Sequence, residues 1–591
     1  MEIINERIDD IPLIISYLIK NKLVTSIDEH LKNHGNQNTL SNGEVAVIWL
    51  AYMLSQGDHR KAHVADWVSQ HQIILSACIG KRVDVNNFTD DRLTRLIFRC
   101  SIDDCWQALE RDLAKTTLAL LPMEHVLEPY FEKNAINIVK AAFKLDGTSV
   151  TGYHEVSQEG LMRYGYSKDH RPDLAQVKLM SCVEGLSGCP IISDIDSGNV
   201  NDESMYEPIL NRMRNIFHTE GFLYCGDSKM SLSKIRKNIV SNKEFYICPL
   251  ELSNSKTKNV FKEEWVSKAI DGSKQIINII HNEEIIAYGY EFERTEQDST
   301  GTLQWNERVL IVKSLGYFEG EKKRFDKALK KTKDEISKLT SKLCKDLDEA
   351  KNLLDALIED KFSKSKISKE FFEIEYEIEE VIKTYKRTEI RRNEKKREGS
   401  YDIKRYKMRV KKTTISEEKK EEYLNKLGWR PFVTNIPSNL LSFSNAYSYY
   451  RKTQHVIESG FHLLKADPVG IRPLFVRRDD QIKGLIRFLG LGVYFQKIMS
   501  LELIIALKKN NEEIMGLTAG QPKRKTPTPT TISVLSYFSR CGINFSSIKI
   551  DGIWKNIISP LPELCLKILD LLGLSDNIYE KLKKWQIPNE G

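Results

Sequence analysis

Three acidic residues have the side-chain type and the sequence context needed to hold divalent metal ions. Asp146 ends the segment FKLD, Asp227 follows the apolar segment FLYCG, and Glu458 lies in the helical pattern RKTQHVIESGFHLLK. Mg²⁺ prefers oxygen ligands and keeps several of its waters, so a few carboxylates are enough to bind it. Two such ions about 3.5–4 Å apart activate a nucleophile and stabilise a leaving oxygen, as phosphodiester cleavage requires. We expect Asp146 to bridge two ions of Mg²⁺ or Mn²⁺, with Asp227 and Glu458 each serving mainly one.

The segments around the first two acids predict a sheet with a helix on it. AINIVKAAFKLD predicts a strand that ends at Asp146, and VKLMSCVEGL and CPIISDID predict a hairpin that turns at Ser187 and Gly188. MYEPILNRMRNIF predicts an amphipathic helix, and a short buried strand precedes Asp227. The order strand, strand, strand, helix, strand is the opening topology of a ribonuclease-H-like sheet. In such a sheet the ends that carry Asp146 and Asp227 lie side by side.

The third acid lies on a helix stripe with several polar and cationic side chains. Arg451, Gln454, Glu458 and Lys465 follow one another at spacings of three, four or seven residues. The stripe therefore presents one metal ligand flanked by groups that can hold phosphates. The alternative is an ordinary exposed helix face, on which Glu and Lys are common.

These patterns predict an α/β fold of several domains. Its centre is a ribonuclease-H-like catalytic core of the retroviral integrase superfamily, interrupted by a β-strand plus helical insertion, with a helical N-terminal domain and a small helical C-terminal tail. The predicted ranges are 1–134 for the N-terminal domain, 135–248 for the first part of the core, 249–429 for the insertion, 430–518 for the core segment with its closing helix, and 519–591 for the linker and tail.

The N-terminal domain is predicted from helix caps and helical spacing. Ser41 and either Thr89 or Asp90 precede apolar residues at helical intervals, which is typical of helix N-termini. The short helices carry Arg and Lys, which favours a DNA-binding module; a plain helical scaffold is the alternative.

The insertion contains three distinctive patterns. IINIIHNEEIIAYGYEFE and LQWNERVLIVKSL predict long antiparallel strands, and KTYKRTEIRRNEKKREGSYDIKRYKMRVKK (383–412) predicts either a phosphate-tracking surface or a solvated helix face. Between the second strand segment and the basic stretch, apolar residues recur at intervals of three and four, with an interruption at Asp346. This spacing predicts an internal helical hairpin or an intermolecular coiled coil. Its core positions are Phe325, Leu329, Thr332, Ile336, Leu339, Leu343, Ala350, Leu353 and Leu357.

Composition sets broader limits on the class of protein. The chain of 591 residues has a net charge of +7, from 89 Lys and Arg against 82 Asp and Glu, which is compatible with nucleic acid without demonstrating binding. The N-terminus lacks a secretory pattern, and no run of apolar residues predicts a membrane span. The ten cysteines are scattered without metal-binding spacing, which favours a reducing, bacterial-type cytoplasm.

Several longer motifs resemble one family of enzymes. LDGTSVTGY, GYSKDHRPDLAQVKL (165–179), SGNVNDES (197–204), GDSKM (226–230), TNIP (434–437) and the Glu458 helix resemble DDE-type insertion-sequence transposases of the IS-four-like superfamily, most closely its IS-sixteen-thirty-four branch. VNNFTDDRLTRLI extends the resemblance into the N-terminal region. The family's helix pattern places Tyr, Arg, Glu and Lys at fixed intervals; Glu458 and Lys465 match it, whereas Gln454 fills the Arg position and Arg451 the Tyr position.

The resemblance implies a function and a set of partners. It implies an enzyme that binds the terminal inverted repeats of its element, cleaves the ends with divalent ions and joins the 3′ hydroxyl to target DNA as a homodimer in a paired-end complex, without a membrane. It also makes the loop with Lys168, His170 and Arg171 a candidate for DNA contact or site support. A catalytically silent, element-derived DNA-binding protein and a nuclease without strand transfer are the alternatives.

Overall fold

The structure is a computed structural model that describes most of the chain. The described residues are 2–32, 40–121, 130–133, 135, 138–252, 255–298, 300–365, 367–389, 397–466, 469–472, 474, 476–550, 553–574 and 578–585. They form two compact units: the first is Met1–Glu251, Arg294–Arg308 and Val433–Gly591, and the second is Leu252–Glu293 and Val309–Phe432. The five predicted domain ranges stay predictions.

The first unit opens with one strand and seven helices. These elements are β1 (Glu2–Arg7), α1 (Ile11–Lys20), α2 (Leu23–His30), α3 (Asn42–Gln56), α4 (Val64–Gln70), α5 (Gln72–Ile79), α6 (Asp90–Ser101) and α7 (Asp103–Leu120). Two predicted caps are confirmed: Ser41 forms a capping box with Glu44, and Thr89 accepts a hydrogen bond from the backbone N–H of Arg92.

A mixed sheet follows in the same unit. Its elements are β2 (Ala141–Gly152), β3 (Ala175–Glu184), β4 (Pro190–Ser197), α8 (Tyr206–Phe217), β5 (Phe222–Cys225), α9 (Ser233–Ser241) and β6 (Phe245–Pro249). The strand order is β4-β3-β2-β5-β6, with β2 antiparallel to β3 and parallel to β5. The predicted hairpin and amphipathic helix are confirmed. The predicted end of the first strand is wrong, because β2 continues to Gly152 and leaves Asp146 in its middle.

The segment that follows β6 contains most of the second unit. Its elements are α10 (Ser255–Asn259), a π-helical turn (Val260–Trp265), α11 (Val266–Ile270), β7 (Ile277–His281), β8 (Glu284–Gln297), β9 (Gln304–Ser314), α12 (Leu315–Ile336), α13 (Leu347–Lys364), β10 (Phe372–Glu389), β11 (Arg397–Ile415), α14 (Glu417–Lys426) and β12 (Trp429–Thr434). The first predicted long strand is instead the hairpin of β7 and β8, because Asn282 and Glu283 adopt positive φ between them.

The predicted helical run is correct in kind and wrong in detail. It forms two helices, α12 and α13, and Asp346 accepts a hydrogen bond from the Glu349 N–H as the N-cap of α13 rather than interrupting a core. Leu353 and Leu357 are about two-fifths exposed, whereas their neighbours Leu354 and Ile358 are buried. The register shift follows from the restart of the helix at Asp346, which resets the apolar face.

The basic stretch 383–412 is not a helix where the structure describes it. Strands β10 and β11 pair antiparallel from Phe372 opposite Ile415 to Glu389 opposite Arg397, with one bulge between Glu375 and Tyr376. The predicted solvated helix face is therefore wrong. Residues 390–396 of this stretch lie outside the described residues.

The chain closes with elements of the first unit. They are α15 (Phe443–Lys465), α16 (Asp479–Asn510), β13 (Ile514–Met515), β14 (Lys525–Thr526), α17 (Thr531–Cys541), β15 (Asn544–Ile550), β16 (Ile553–Ile558), α18 (Glu563–Leu571) and α19 (Ile578–Lys584). The predicted helical tail is incomplete, because β15 lies between β1 and β16 in a three-stranded sheet. For the same reason the N-terminal region is not entirely helical.

Helix α16 lies in a large hydrophobic cluster of buried residues in the first unit. Its buried face packs with residues from α1, α3 and α6 and with residues of the C-terminal helices. By length and composition it is the one described helix apolar enough to cross a membrane, and most of that apolar window is buried inside this unit. Burial of this kind is expected of a core helix.

Candidate active site

The sheet register brings the first two acids together. Strands β2 and β5 pair in parallel from Ala141 opposite Phe222 to Lys144 opposite Cys225. Continuing this register by two residues places Asp227 beside Asp146, and neighbouring strands are about 4.8 Å apart. Burial is the main cause of the raised pKa of Asp146, and electrostatic repulsion from the Asp227 carboxylate raises this pKa further. The adjacency predicted from strand order is thus present in the fold.

Asp227 is held in place by its own turn. The carboxylate caps a short 3-10 turn (Ser228–Ser231) and accepts a hydrogen bond of 2.9 Å from the Lys229 N–H. The Tyr206 hydroxyl donates a second bond of 2.8 Å. Gly226 lets the turn close, since a Cβ there would lie 2.5 Å from the Met230 sulfur. Burial, followed by the charges of the neighbouring acids, raises the pKa of Tyr206 well above its ordinary value, so it stays a donor.

Lys168 reaches Asp146 from the loop between β2 and β3. Its ammonium donates to the Gly147 carbonyl at 2.6 Å and lies 3.5 Å from the Asp146 carboxylate and 3.0 Å from that of Asp202. Burial alone lowers the pKa of Lys168, but Asp146 and Asp202 outweigh it and raise the pKa. Lys178 also contacts Asp202 at 3.0 Å. Lys168 therefore supports the site directly.

A second lysine lies beneath the acids. Lys144 precedes Asp146 by two residues, so both side chains project from the same face of the sheet. Its ammonium is fully buried, finds no hydrogen-bond acceptor among the described residues, and lies 4.8 Å from the Tyr450 ring centroid. Burial lowers the pKa of Lys144, while Asp146 and Asp227 oppose this shift.

Burial and the neighbouring ammonium groups shift the pKa of Asp146 in opposite directions. Burial raises the pKa of Asp146 above its usual range, and the Asp227 carboxylate adds to that shift. The ammonium groups of Lys168 and Lys144 counter it. At Asp146 burial thus outweighs the two ammonium groups, and a bound divalent cation would stabilise the charged carboxylate.

Helix α15 lies along the face of β2 that carries Asp146. Tyr450 contacts Lys144 near its beginning, and Lys465 at its end donates to the Thr148 hydroxyl at 2.6 Å. The two contacts lie on either side of Asp146 along the strand. At about 100° per residue, Glu458 falls within roughly 20° of Lys465 and 80° of Tyr450 around the helix. Glu458 therefore lies on the same side of the helix as Lys465, which contacts β2 two residues after Asp146.

Glu458 itself is exposed to solvent. Its carboxylate accepts one hydrogen bond of 2.7 Å from the Gln454 amide, one turn earlier on the helix. A neutral amide leaves the negative charge of Glu458 uncompensated. Arg451, two turns before Glu458 on the same stripe, is exposed.

The remaining predicted cations have different surroundings. Lys465 also contacts Asp169 at 2.9 Å, and Arg472 pairs with the same carboxylate. Arg171 is exposed and pairs with Asp173 at 2.7 Å. His170 is exposed, in a turn with a φ of 57°. Lys465 thus lies within the site, whereas Arg171 and His170 lie on the outer part of the loop.

The three predicted acids do not form a tight cluster in this structure. Among the described residues, the one group of three possible ligands with donor atoms within 4.8 Å of one another is Glu29, His30 and Asp112, which is partly exposed and remote in sequence. The pair Asp146 and Asp227 still fits a hard divalent cation, because both donors are partly buried carboxylates on adjacent strands. Glu458 is the nearby acid without a cationic partner among the described residues.

The comparisons with known proteins identify the family. The model of the transposase DDE domain matches residues 140–495, which is more than half of the chain and includes all three acids. The chain belongs to the transposase DDE domain family. This DDE transposase matches no curated protein.

Solved structures add a weak similarity. A cryo-EM structure of the piggyBac transposase synaptic complex with hairpin DNA matches this DDE transposase over 100% of this chain and 89% of that chain, with 8% identity and a TM-score of 0.33. A similarity at that level establishes neither the fold nor the function of this protein. The family assignment rests on the domain match alone, and the narrower predicted branch of the superfamily stays a prediction.

Sequence reasoning missed three residues of this DDE transposase site. Tyr206 contacts Asp227, Lys144 interacts electrostatically with both acids, and Asp202 contacts Lys168. Tyr206 lies in the segment predicted as an amphipathic helix, and a hydroxyl on the buried face of such a helix needs a partner. Lys144 carried a usable signal, because a lysine inside an apolar strand with an acid two residues later indicates a buried charge on one face.

Lys168→Met is expected to tighten cation binding before DNA is present. The ammonium group repels a divalent ion at the neighbouring carboxylates, and its loss lowers the concentration of Mn²⁺ for half-saturation by about tenfold. Electron paramagnetic resonance of free Mn²⁺ measures this directly. Lys243→Met is the control, since Lys243 pairs with exposed Glu220 before β6, at the other end of the sheet. Weaker Mn²⁺ binding by Lys168→Met would show that Lys168 orients Asp146 rather than competing with the cation.

Proposed function

We propose that this DDE transposase binds the terminal inverted repeats of an insertion sequence, cleaves the ends and joins the 3′ hydroxyl to target DNA. The observation that carries the proposal is the register that sets Asp227 beside Asp146, with the Glu458 helix anchored on the same face. DDE transposases generally use divalent metal ions. We infer that Asp146, Asp227 and Glu458 hold two ions of Mg²⁺ or Mn²⁺.

The residues of the chain have separable tasks in this proposal. When bound, the ions would activate the attacking oxygen and neutralise charge on the leaving oxygen. Tyr206 and the Lys229 N–H keep the Asp227 carboxylate oriented, and Lys168 and Lys144 limit the negative charge around Asp146. Each group acts by holding charge in place before the substrate arrives.

The phosphate-holding residues are proposed from their position around the acids. Lys465 stands at the end of the Glu458 helix against β2, and Arg451 and Gln454 share the stripe of Glu458. His170 and Arg171 lie on the outer loop, where exposed cations can contact the DNA backbone. Lys465 must exchange Asp169 for a phosphate, because that carboxylate neutralises it here.

The assembly and cellular setting form part of the proposal. Two copies would pair the two element ends in one complex, because joining both ends requires two active sites at one target. The reducing, bacterial-type cytoplasm remains the proposed location.

A strand-transfer assay tests the proposed function. Duplex DNA carrying the flanking ends of the element is incubated with the protein and Mg²⁺ or Mn²⁺, with a supercoiled plasmid as target. Cleaved ends and joined products are expected together. Binding without cleavage under several divalent ions would identify a silent DNA-binding protein, and cleavage without joined products would identify a nuclease. Duplex of scrambled end sequence is the control substrate.

A further inference from the structure

The ribbon of β10 and β11 has a packed base and an uncovered outer part. At the base, Met408 and Val410 are buried in a cluster with residues of α12 and α13. Away from the base, residues 382–386 and 399–402 are all exposed. An antiparallel pair of this length without a covering layer is unusual, because an isolated two-stranded hairpin is marginally stable in water. The outer part is therefore a surface rather than a core element.

The register of the ribbon separates its charges onto two faces. Residues opposite each other on paired strands project to the same side. One side, the tyrosine face, carries Lys383, Tyr385, Tyr401 and Arg405, since Lys383 lies opposite Ile403, Tyr385 opposite Tyr401 and Val381 opposite Arg405. This face contains two cations and no acid over these three pairs.

The opposite side of the ribbon carries acids as well as cations. Glu380 pairs with Lys404 at 2.8 Å, and the Asp402 carboxylate accepts a hydrogen bond of 2.7 Å from the Thr384 hydroxyl. Nearer the base, the Glu377 and Arg409 pair at 2.7 Å lies on the tyrosine face itself, because these residues have the same strand parity as Tyr385 and Tyr401. Over the described outer part, the tyrosine face thus carries two cations and no acid, whereas the opposite face carries Lys386 and Lys404 together with Glu380 and Asp402.

Two aromatic rings lie between the cations of the tyrosine face. Tyr385 and Tyr401 stack across the strands, with centroids 5.8 Å apart and rings 23° from parallel, and they are 39% and 49% exposed. Stacking fixes both rings while their hydroxyl edges stay available. Tyrosine hydroxyls and the cations of Lys and Arg are common donors to DNA phosphates.

We propose that the tyrosine face binds duplex DNA, with the ribbon inserted into the major groove. That groove, about 12 Å wide, accepts a two-stranded β-ribbon. Lys383 and Arg405 then contact phosphates, and the tyrosine pair contacts the sugar-phosphate wall or base edges. Two copies of this face repel each other through like charges, which favours DNA over a second copy as the occupant. The inference rests on the proposed function for its class of partner.

The experiment compares two variants with equal loss of charge. Lys383→Gln with Arg405→Gln removes both cations of the tyrosine face, and Lys386→Gln with Lys404→Gln removes two from the opposite face. Binding of the full chain to end-containing duplex is measured by fluorescence anisotropy without divalent ions, between about 50 and 200 mM salt. The first variant should lower the steepness of log K against log salt concentration by about 1.8, or about 0.9 per lost phosphate contact. It should also weaken binding by about 10- to 100-fold.

The control variant should bind within about threefold of the unmodified chain, because its positions face away from the DNA. Circular dichroism and light scattering of both variants check the fold and the mass without DNA. Equal weakening by both variants, no weakening by either, or no DNA binding by the unmodified chain overturns the proposal. A change in mass with unchanged DNA binding overturns it in favour of a second copy.

The same samples separate this inference from the proposed function. If the unmodified chain binds duplex through the tyrosine face but never cleaves it with Mg²⁺ or Mn²⁺, the proposed function fails and the DNA surface stands. If it cleaves and joins ends while both variants bind like the unmodified chain, the proposed function stands and the ribbon surface fails.

Discussion

Asp146→Asn and Asp227→Asn are each expected to lower the rate of DNA end cleavage by more than about 10³-fold, which corresponds to about 4 kcal/mol of lost transition-state stabilisation. Each amide keeps the size of the side chain and removes the negative charge that holds a cation. Cleavage is measured under single-turnover conditions with saturating end DNA. Binding of that DNA without divalent ions should stay within about threefold, because the acids do not attract phosphates.

The double variant, with both Asp146→Asn and Asp227→Asn, tests whether the two acids act at one metal site. Residues that act as one unit are strongly non-additive, so the double substitution should cost about as much as either single one. Asp196→Asn, which alters an exposed carboxylate on edge strand β4, is the matched control and should leave the rate within about twofold. Cleavage within about tenfold of the unmodified rate in either single variant would place the metal site elsewhere.

The acid pair was predictable because it depends on local patterns and one topological rule. Apolar runs identify the strands that carry Asp146 and Asp227, and their parallel pairing brings the acids to one place. The positions of Lys144 and Lys168 depend on tertiary contacts instead. The apolar strand around Lys144 indicates that its charge is buried, but nothing local indicates that Tyr450 covers it or that Lys168 reaches Asp202.

The ribbon and the terminal sheet show where sequence patterns fail. Residues 383–389 of β10 are polar on both faces and lack the period of two that marks a half-buried strand, although the preceding segment FEIEYEIE (372–379) alternates regularly. Strand β1 pairs with β15, whose residues lie near the other end of the chain. A pairing across that separation leaves no local signal, because either strand by itself matches many possible partners.

Glu458→Gln is the variant that decides which acid completes the site. Its carboxylate is exposed, so the substitution should leave the melting temperature nearly unchanged, as surface changes cost about 0.5 kcal/mol or less. Cleavage should fall by more than about 10²-fold. Glu458→Cys should recover activity with Mn²⁺ or Cd²⁺ and not with Mg²⁺, because thiolate is a soft ligand. Lys452→Gln, exposed on the far side of the same helix, is the control.

Asp202 is the competing candidate, and its partners argue against it. Its carboxylate is held by Lys168 and Lys178, both at 3.0 Å, and these charges lower its pKa against the effect of burial. A metal ion would have to displace two ammonium groups there, whereas at Glu458 it displaces one neutral amide. Asp202→Asn should therefore reduce cleavage only about tenfold, through the position of Lys168. The reverse order of effects, with Asp202→Asn inactive and Glu458→Gln active, would assign the third ligand to Asp202.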